Sequence, residues 1–505
     1  MPKGANLTSE LKASETQSPA VWLAGFIIGL SVLLALRIFA LKMNVTDLFY
    51  DEAQYWFWSQ NLDFGYYSKP AVIAGVIRTA TEVCGLSEFC IRLPSPLLHT
   101  ATAIVICLLA RALYDLRVGV IAGLLYATLP AVSLSSSLIS TDVPLLFFWA
   151  LALLALVWLL QSKSWLPALM LGLSLGFGLN AKYAMAFFVL CTAIYLIVTP
   201  ERRDVLKDPR IWVALGLGFM MLVPNIIWNF DHQFATVSHT ADNANWGGPL
   251  VHPNKAAEFF LAQFGVFGPI LFGVFLVIVW RAWKEGLAEA DRFLLTFALP
   301  IICIITVQAF LSRAHANWAA VSYVAASVLV TAAFVRLASW RWLSASFALH
   351  LGFLALLIVG TTHAGTFTFR WPGDKNPFAR TLGWEAFAEA TKDRIDRATS
   401  DGQPFTAVIA DKRSHVAQLI YYLRDVQIPV FAWREGETAR DHYQLMRPFR
   451  GDGEDRVLFV STQGAGSPVL KQFGEVKRLG IAQGDAARYR KREVVFYALS
   501  GYKKE

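Results

Sequence analysis

Long apolar runs separated by short polar breaks fill most of the first 360 residues. A segment crosses about 30 Å of hydrocarbon with roughly 17 to 25 mostly apolar residues. Runs of that order lie at about 21–41, 94–113, 118–137, 143–161, 165–181, 184–199, 211–228, 257–280, 293–311, 316–335 and 342–360. Each predicts a membrane helix, and 70–83 reads as a further re-entrant or interfacial one. The expectation is a polytopic α-helical membrane protein of about 11–13 transmembrane helices. Past Thr361 the pattern changes, and half of the chain's charged residues fall within 365–505. Short periodic stretches there predict a helix at 384–399, a strand at 405–410, a helix at 414–423 and strands at 428–431 and 456–460. This is a C-terminal soluble α/β domain over 363–505. No glycine-rich phosphate loop follows a strand, so it reads as a lid or acceptor-docking module.

Composition agrees with this division. The 505 residues are 55% hydrophobic with a mean hydropathy of +0.46, which excludes a single soluble globule. The formal charge of +8 comes without a basic stripe or a nucleic-acid motif, so no nucleic acid partner is expected. Cations instead set the orientation. With a cytoplasmic tail at 1–20, the inside loops collect Arg111, Arg117, Lys163, Arg202, Arg203, Lys207, Arg210, Arg281, Lys284, Arg292, Arg336 and Arg341, as the positive-inside rule requires. The tail lacks the basic region and cleavage site of a signal peptide, so the first run reads as a retained anchor. The membrane module then spans 21–362, with its first outer loop at 43–93 and the C-terminal domain outside. Cys107, Cys191 and Cys303 sit in apolar runs as packed thiols. Cys84 and Cys90 fall in the outer loop, where an oxidising compartment would let them pair.

The chemistry gathers on this outer side. The stretch 50–70, YDEAQYWFWSQNLDFGYYSKP, opens with the acidic pair Asp51 and Glu52, continues with Tyr55, Trp56 and Trp58 at helical spacing, and closes on Lys69-Pro70. An aromatic interfacial helix with solvated charges is the plain alternative. Asp142 stands at the outer mouth of a span ahead of Pro144, where a helix cap is the competing role. Lys182 sits between two apolar runs and either snorkels or binds an anion. The loop 229–255 carries His232, His239, Asp242 and His252 in no zinc-like spacing. His239 with Asp51 could hold a divalent metal only through the fold. SRAHANW adds Arg313, whose fork of donors matches phosphate oxygens, and Asn317. Cations on one outer face suit a lipid phosphate, with a carboxylate as proton acceptor and Tyr55, Trp58, Asp142 and Asn317 around the substrate.

An acidic pair after the first span followed by Lys-Pro resembles the first outer loop of GT-C type membrane glycosyltransferases, among them the bacterial aminoarabinose and galacturonic acid transferases acting on lipopolysaccharide and the protein O-mannosyltransferases. The resemblance implies a GT-C-like membrane module and makes Asp51, with Glu52 beside it, the catalytic acidic position. It makes Lys69 a contact to the donor phosphate, matches Asp142 to a second acidic residue and Lys182 to an outer-face lysine, and offers Arg313 as a further phosphate ligand. Relatives carry Glu before the lysine where this chain has Ser68, which bears on any metal held there. The implied donor is an undecaprenyl-type phosphate sugar. The implied reaction is inverting transfer of one hexosyl or pentosyl unit to lipid A, lipopolysaccharide, another glycolipid or a protein, at the outer face of a bacterial inner membrane. A transporter or flippase for a lipid-linked sugar is the alternative. It would need alternating access, and no inverted repeat is evident.

Overall fold

The computed structural model describes residues 18–248, 250–366, 376–451, 456–489 and 493–503. All the apolar runs are helical, but they differ in length. Among the described residues, six helices are individually long and apolar enough to cross a membrane: Pro19–Lys42, Glu88–Leu113, Asp142–Gln161, Pro209–Asp231, Glu289–Leu311 and Trp340–Thr362. Shorter apolar helices cover Leu116–Thr128, Leu166–Ala181, Tyr183–Val198 and Ser322–Arg336. The protein is thus a multi-pass membrane protein. The run at 257–280 is not one straight span: Pro253–Val266 and Pro269–Glu285 meet at 115°. Gly268, at φ 95°, and the missing N–H of Pro269 account for the break. The run at 118–137 likewise stops at Leu129 and resumes as the short helix Pro130–Ser135.

Small residues let the helices approach closely. Helices Leu166–Ala181 and Pro209–Asp231 cross where a Cβ on Gly172 would stand 2.9 Å from the Ala214 carbonyl. Any larger side chain would force them apart, which is how small-residue stripes work in lipid, where apolar burial gives helices little reason to associate. The bundle core includes Trp149, Phe188, Phe293 and Phe297, with Trp149 edge-on to Phe188 and Phe297 and the phenylalanines tilted against one another.

The C-terminal domain is built on a sheet of β1 (Ala407–Ala410), β2 (Val430–Ala432), β3 (Arg456–Ser461), β4 (Phe473–Ile481) and β5 (Val495–Tyr502), in the order β2-β1-β3-β5-β4. The first three strands run parallel, while β5 pairs antiparallel with β3 and β4. The last two strands were not foreseen, although VVFYAL at 494–499 carries the β-branched and aromatic signature of one. Strand alternation gives the sheet two buried faces. Val408, Ala410, Leu458, Val460, Phe496 and Ala498 join one cluster, and Ala407, Ile409, Val457, Phe459, Tyr497 and Leu499 the other. The first cluster continues without interruption into the outer loop. Trp56 meets Tyr421 edge-on at 4.9 Å, and Phe57 lies 5.2 Å from Tyr443. Loop and domain therefore share one core.

Candidate active site

At the start of the loop helix Tyr50–Gln60 the Phe49 N–H donates to Glu52 Oε2 at 2.8 Å, the backbone half of a capping box. Both Glu52 oxygens are taken: Arg92 donates through Nε at 2.9 Å and Nη2 at 2.8 Å, and the Ile139 N–H donates to Oε1 at 2.9 Å. Glu52 is 1% exposed and Arg92 2%. Glu52, expected beside Asp51 as a reacting group, thus ties the loop to helix Glu88–Arg92 and to the turn before Asp142, with both oxygens engaged. Trp58, expected beside the substrate, is instead packed in the shared core, stacked at 4.6 Å and 3° on Tyr66 and 5.4 Å from His442.

Asp51 points elsewhere. Its carboxylate, 35% exposed, lies 3.0 Å from Arg413 Nη1, which also donates to Gln54 Oε1 at 2.9 Å. The Arg413 guanidinium carbon sits 4.9 Å from the centre of the Tyr50 ring. Arg413 opens the helix Arg413–Tyr422 directly after β1. The turn between them is fixed by Asp411, which accepts from Ser461 Oγ at 2.9 Å and from the Thr462 N–H at 3.0 Å. This is the carboxyl end of a parallel strand, where open α/β sheets place ligand-facing residues. The C-terminal domain therefore supplies part of the site as well as covering it. Arg380 joins it there, donating to Tyr50 Oη at 2.7 Å. Sequence reading missed both arginines. The only available signal was DKRSH following a predicted strand.

Lys69 directly follows the tip of a tight hairpin closed by the bridge between Gly65 and Pro70 and by Tyr66 N–H to Lys69 O at 3.0 Å. Asn225 donates to the Phe64 carbonyl at 2.8 Å, Trp228 Nε1 to Asp63 at 2.8 Å, and Thr236 Oγ1 to the Tyr66 carbonyl at 2.7 Å. A Cβ on Gly65 would collide with Trp228, so only glycine permits this docking. Burial, then the positive charge of Lys182, pulls the Lys69 amine down to about 8, against the opposing pull of Asp142 and Asp51. These groups therefore occupy one electrostatic neighbourhood.

Asp142 is the first residue of helix Asp142–Gln161, and its side chain makes no cap. It accepts from Lys182 Nζ at 2.6 Å and from Asn317 Nδ2 at 2.7 Å. Lys182 is available because helix Leu166–Ala181 ends there in extended backbone. Tyr55, buried on the loop helix, feels the charges of Asp51, Arg413 and Asp142. His239 is pushed down to about 4 by burial and by Lys69 and Arg413, so it is neutral at ordinary pH. Arg313 is exposed and near His315, whose pKa is lowered first by burial and then by the Arg313 charge. Among the described residues no three of His, Cys, Asp and Glu form a metal-ligand group, and Asp51 is ion-paired to Arg413. Asp51 and His239 do not by themselves fit a resident divalent ion. Cys84 and Cys90 are joined as a disulfide.

The comparisons with known proteins bear on this arrangement. Over 431 residues the chain is 37% identical to the lipid A galacturonosyltransferase RgtD of Rhizobium johnstonii, covering 85% of this chain and 89% of that protein. The chain belongs to the GT-C membrane glycosyltransferases. That membership decides for the enzyme over the transporter. Residues 68–228 of this glycosyltransferase, which contain Lys69, Asp142 and Lys182, match the family model described as dolichyl-phosphate-mannose-protein mannosyltransferase. The lipopolysaccharide core galacturonosyltransferase RgtA of the same organism is 27% identical over 48% of this chain and 50% of its own. The crystal structure of ArnT from Cupriavidus metallidurans in the apo state has the same fold, at a TM-score of 0.63 and 15% identity, over 95% of this chain and 98% of that one.

Proposed function

We propose that this glycosyltransferase moves a single galacturonic acid residue from a polyprenyl-phosphate donor to lipid A, at the outer face of the inner membrane. The observation that carries the reading is the extensive likeness to a lipid A galacturonosyltransferase, and the contacts of Lys182 and Asn317 with Asp142 and of Arg413 with Asp51 are consistent with it. The positive-inside distribution of cations supports a periplasmic site and C-terminal domain.

The acceptor hydroxyl oxygen attacks the anomeric carbon while the bond from that carbon to the phosphate oxygen breaks. The hydroxyl proton passes to Asp51, and the polyprenyl phosphate leaves with one more negative charge than it held as a diester. In this reading Lys69 and Lys182 face the phosphate on which that charge grows, so their attraction is stronger in the transition state than in the ground state. Asp142 accepts from Lys182 and, through its other oxygen, from Asn317, and so holds the amine in position. Arg413 holds the Asp51 carboxylate without burying it.

Mass spectrometry of lipid A and core from cells with and without the gene tests this directly. The expected result is loss of one uronic acid residue from lipid A in the deletion strain. Unchanged lipid A, with a sugar missing from core or protein instead, would overturn the acceptor assignment. No change in any glycan would overturn the whole reading.

A further inference from the structure

We infer that the C-terminal domain builds a carboxylate-reading subsite into the active site, with Arg413 as its principal residue and Arg380 as its second, so that the enzyme selects an anionic sugar. This rests on the proposed transfer of a uronic acid. Four observations carry it.

First, the cations divide by location. Lys182 and its partner Asp142 stand at the ends of membrane helices, and Lys69 lies on the hairpin docked against helix Pro209–Asp231. Arg380 and Arg413 belong to the segment beyond the last span. A lipid-linked donor runs from prenyl tail to phosphate to sugar. Its phosphate thus reaches the lysines first, and its sugar is left facing the arginines.

Second, the Arg413 fork is only half used. Nη1 serves both Asp51 and Gln54. Nε and Nη2 have no hydrogen-bond partner among the described residues, and they form the edge that accepts a carboxylate through two parallel bonds.

Third, Arg380 and Arg413 flank the same Tyr50 ring, at 5.6 Å and 4.9 Å from its centre. Arg380 also stands 4.6 Å from the Phe49 ring centre and donates to Tyr50 Oη, so both guanidiniums are held against the same residue at the start of the loop helix. Asp51 is the carboxylate already paired with Arg413, so the two arginines carry one positive charge more than it balances, which a uronate would neutralise and a neutral sugar would not.

Fourth, one guanidinium holds the proton-accepting carboxylate at one end and presents a free edge at the other. Recognition of the sugar's carboxylate would therefore fix the sugar relative to Asp51.

The test uses the full-length enzyme in nanodiscs with a lipid A acceptor and two short-chain polyprenyl-phosphate donors, one carrying galacturonic acid and one galactose. The readout is the ratio of kcat/KM for the two donors. The parent enzyme is expected to prefer the uronic acid. Arg413→Gln should cut that ratio about 10- to 100-fold, the range of a hydrogen bond between charged groups, mainly by raising KM for the uronic acid donor. Arg413→Lys should recover part of the ratio, because it restores charge without the fork. Arg380→Gln should cut it less, and with Arg413→Lys it keeps the test decisive should Arg413→Gln not fold. Equal losses on both donors in the Arg413 variants would mean that Arg413 only positions Asp51, and would overturn the subsite. A parent enzyme that transfers galactose as well as galacturonic acid would overturn it too, while leaving glycosyl transfer intact. Failure with both donors would instead refute the function on which the subsite rests.

Discussion

Replacing Glu52 by Gln separates the two members of the acidic pair. In the parent, the Glu52 carboxylate accepts four hydrogen bonds and neutralises Arg92, and both side chains are almost fully buried. Glutamine keeps the shape but removes the charge, and it turns a donor toward groups that are themselves donors. Removing one partner of a buried ion pair costs about 3–5 kcal/mol, because the other charge is left without compensation. Glu88 lies close enough to share the charge of Arg92, which sets the expectation near the lower end, about 3 kcal/mol. At roughly 2 °C per kcal/mol for a large chain, the melting temperature should fall by about 6 °C. The assay is thermal unfolding in detergent, paired with transfer measured well below the melting temperature, where folded Glu52→Gln enzyme should still work. Asp51→Asn should behave oppositely: its carboxylate is partly exposed and bears less of the fold, so the protein should melt normally while transfer drops about 100-fold or more. A Glu52→Gln enzyme that melts like the parent and transfers no sugar would refute the assignment of Glu52 to structure.

Three further outcomes are expected. The Lys69 amine, pulled down to about 8, should lose its charge as pH rises through that value, so donor affinity measured against pH should fall above about 8, and Lys69→Arg should flatten the fall. The contribution of Lys69 to stability has the opposite sign. Between its folded value and its ordinary value near 10.5 the unfolded chain holds more protons, so this term rises with pH, and the pH dependence of unfolding in parent and Lys69→Met enzymes checks it. Asp142→Asn should release Lys182 and Asn317 and raise donor KM about 10-fold with a smaller change in kcat, a split that steady-state kinetics resolves. Peptide mapping without reductant should recover Cys84 and Cys90 as one linked species, and Cys84→Ser should lower stability by roughly 2 kcal/mol.

The apolar runs fixed the membrane class because lipid leaves the backbone no partner except its own helix, so length and hydropathy alone announce each span. The outer loop announced itself in the same way, as the one polar, aromatic stretch directly behind the first anchor. Asp51, Lys69, Asp142, Lys182 and Asn317 were legible as candidates because polar groups at a membrane boundary need a reason to be there. The sequence could not tell Asp51 from Glu52. Neighbours on an α-helix point about 100° apart, so one faces the site and the other the core, and only the surrounding elements decide which. Trp58, expected around the substrate, lies in the core for the same reason. Arg413 was hidden by distance along the chain. Its role depends on the C-terminal domain folding back over the outer loop through Trp56, Phe57, Tyr421 and Tyr443. Local periodicity predicts which residues of a segment share a face, but it carries no information about which distant segment that face will meet, and that pairing completes this site.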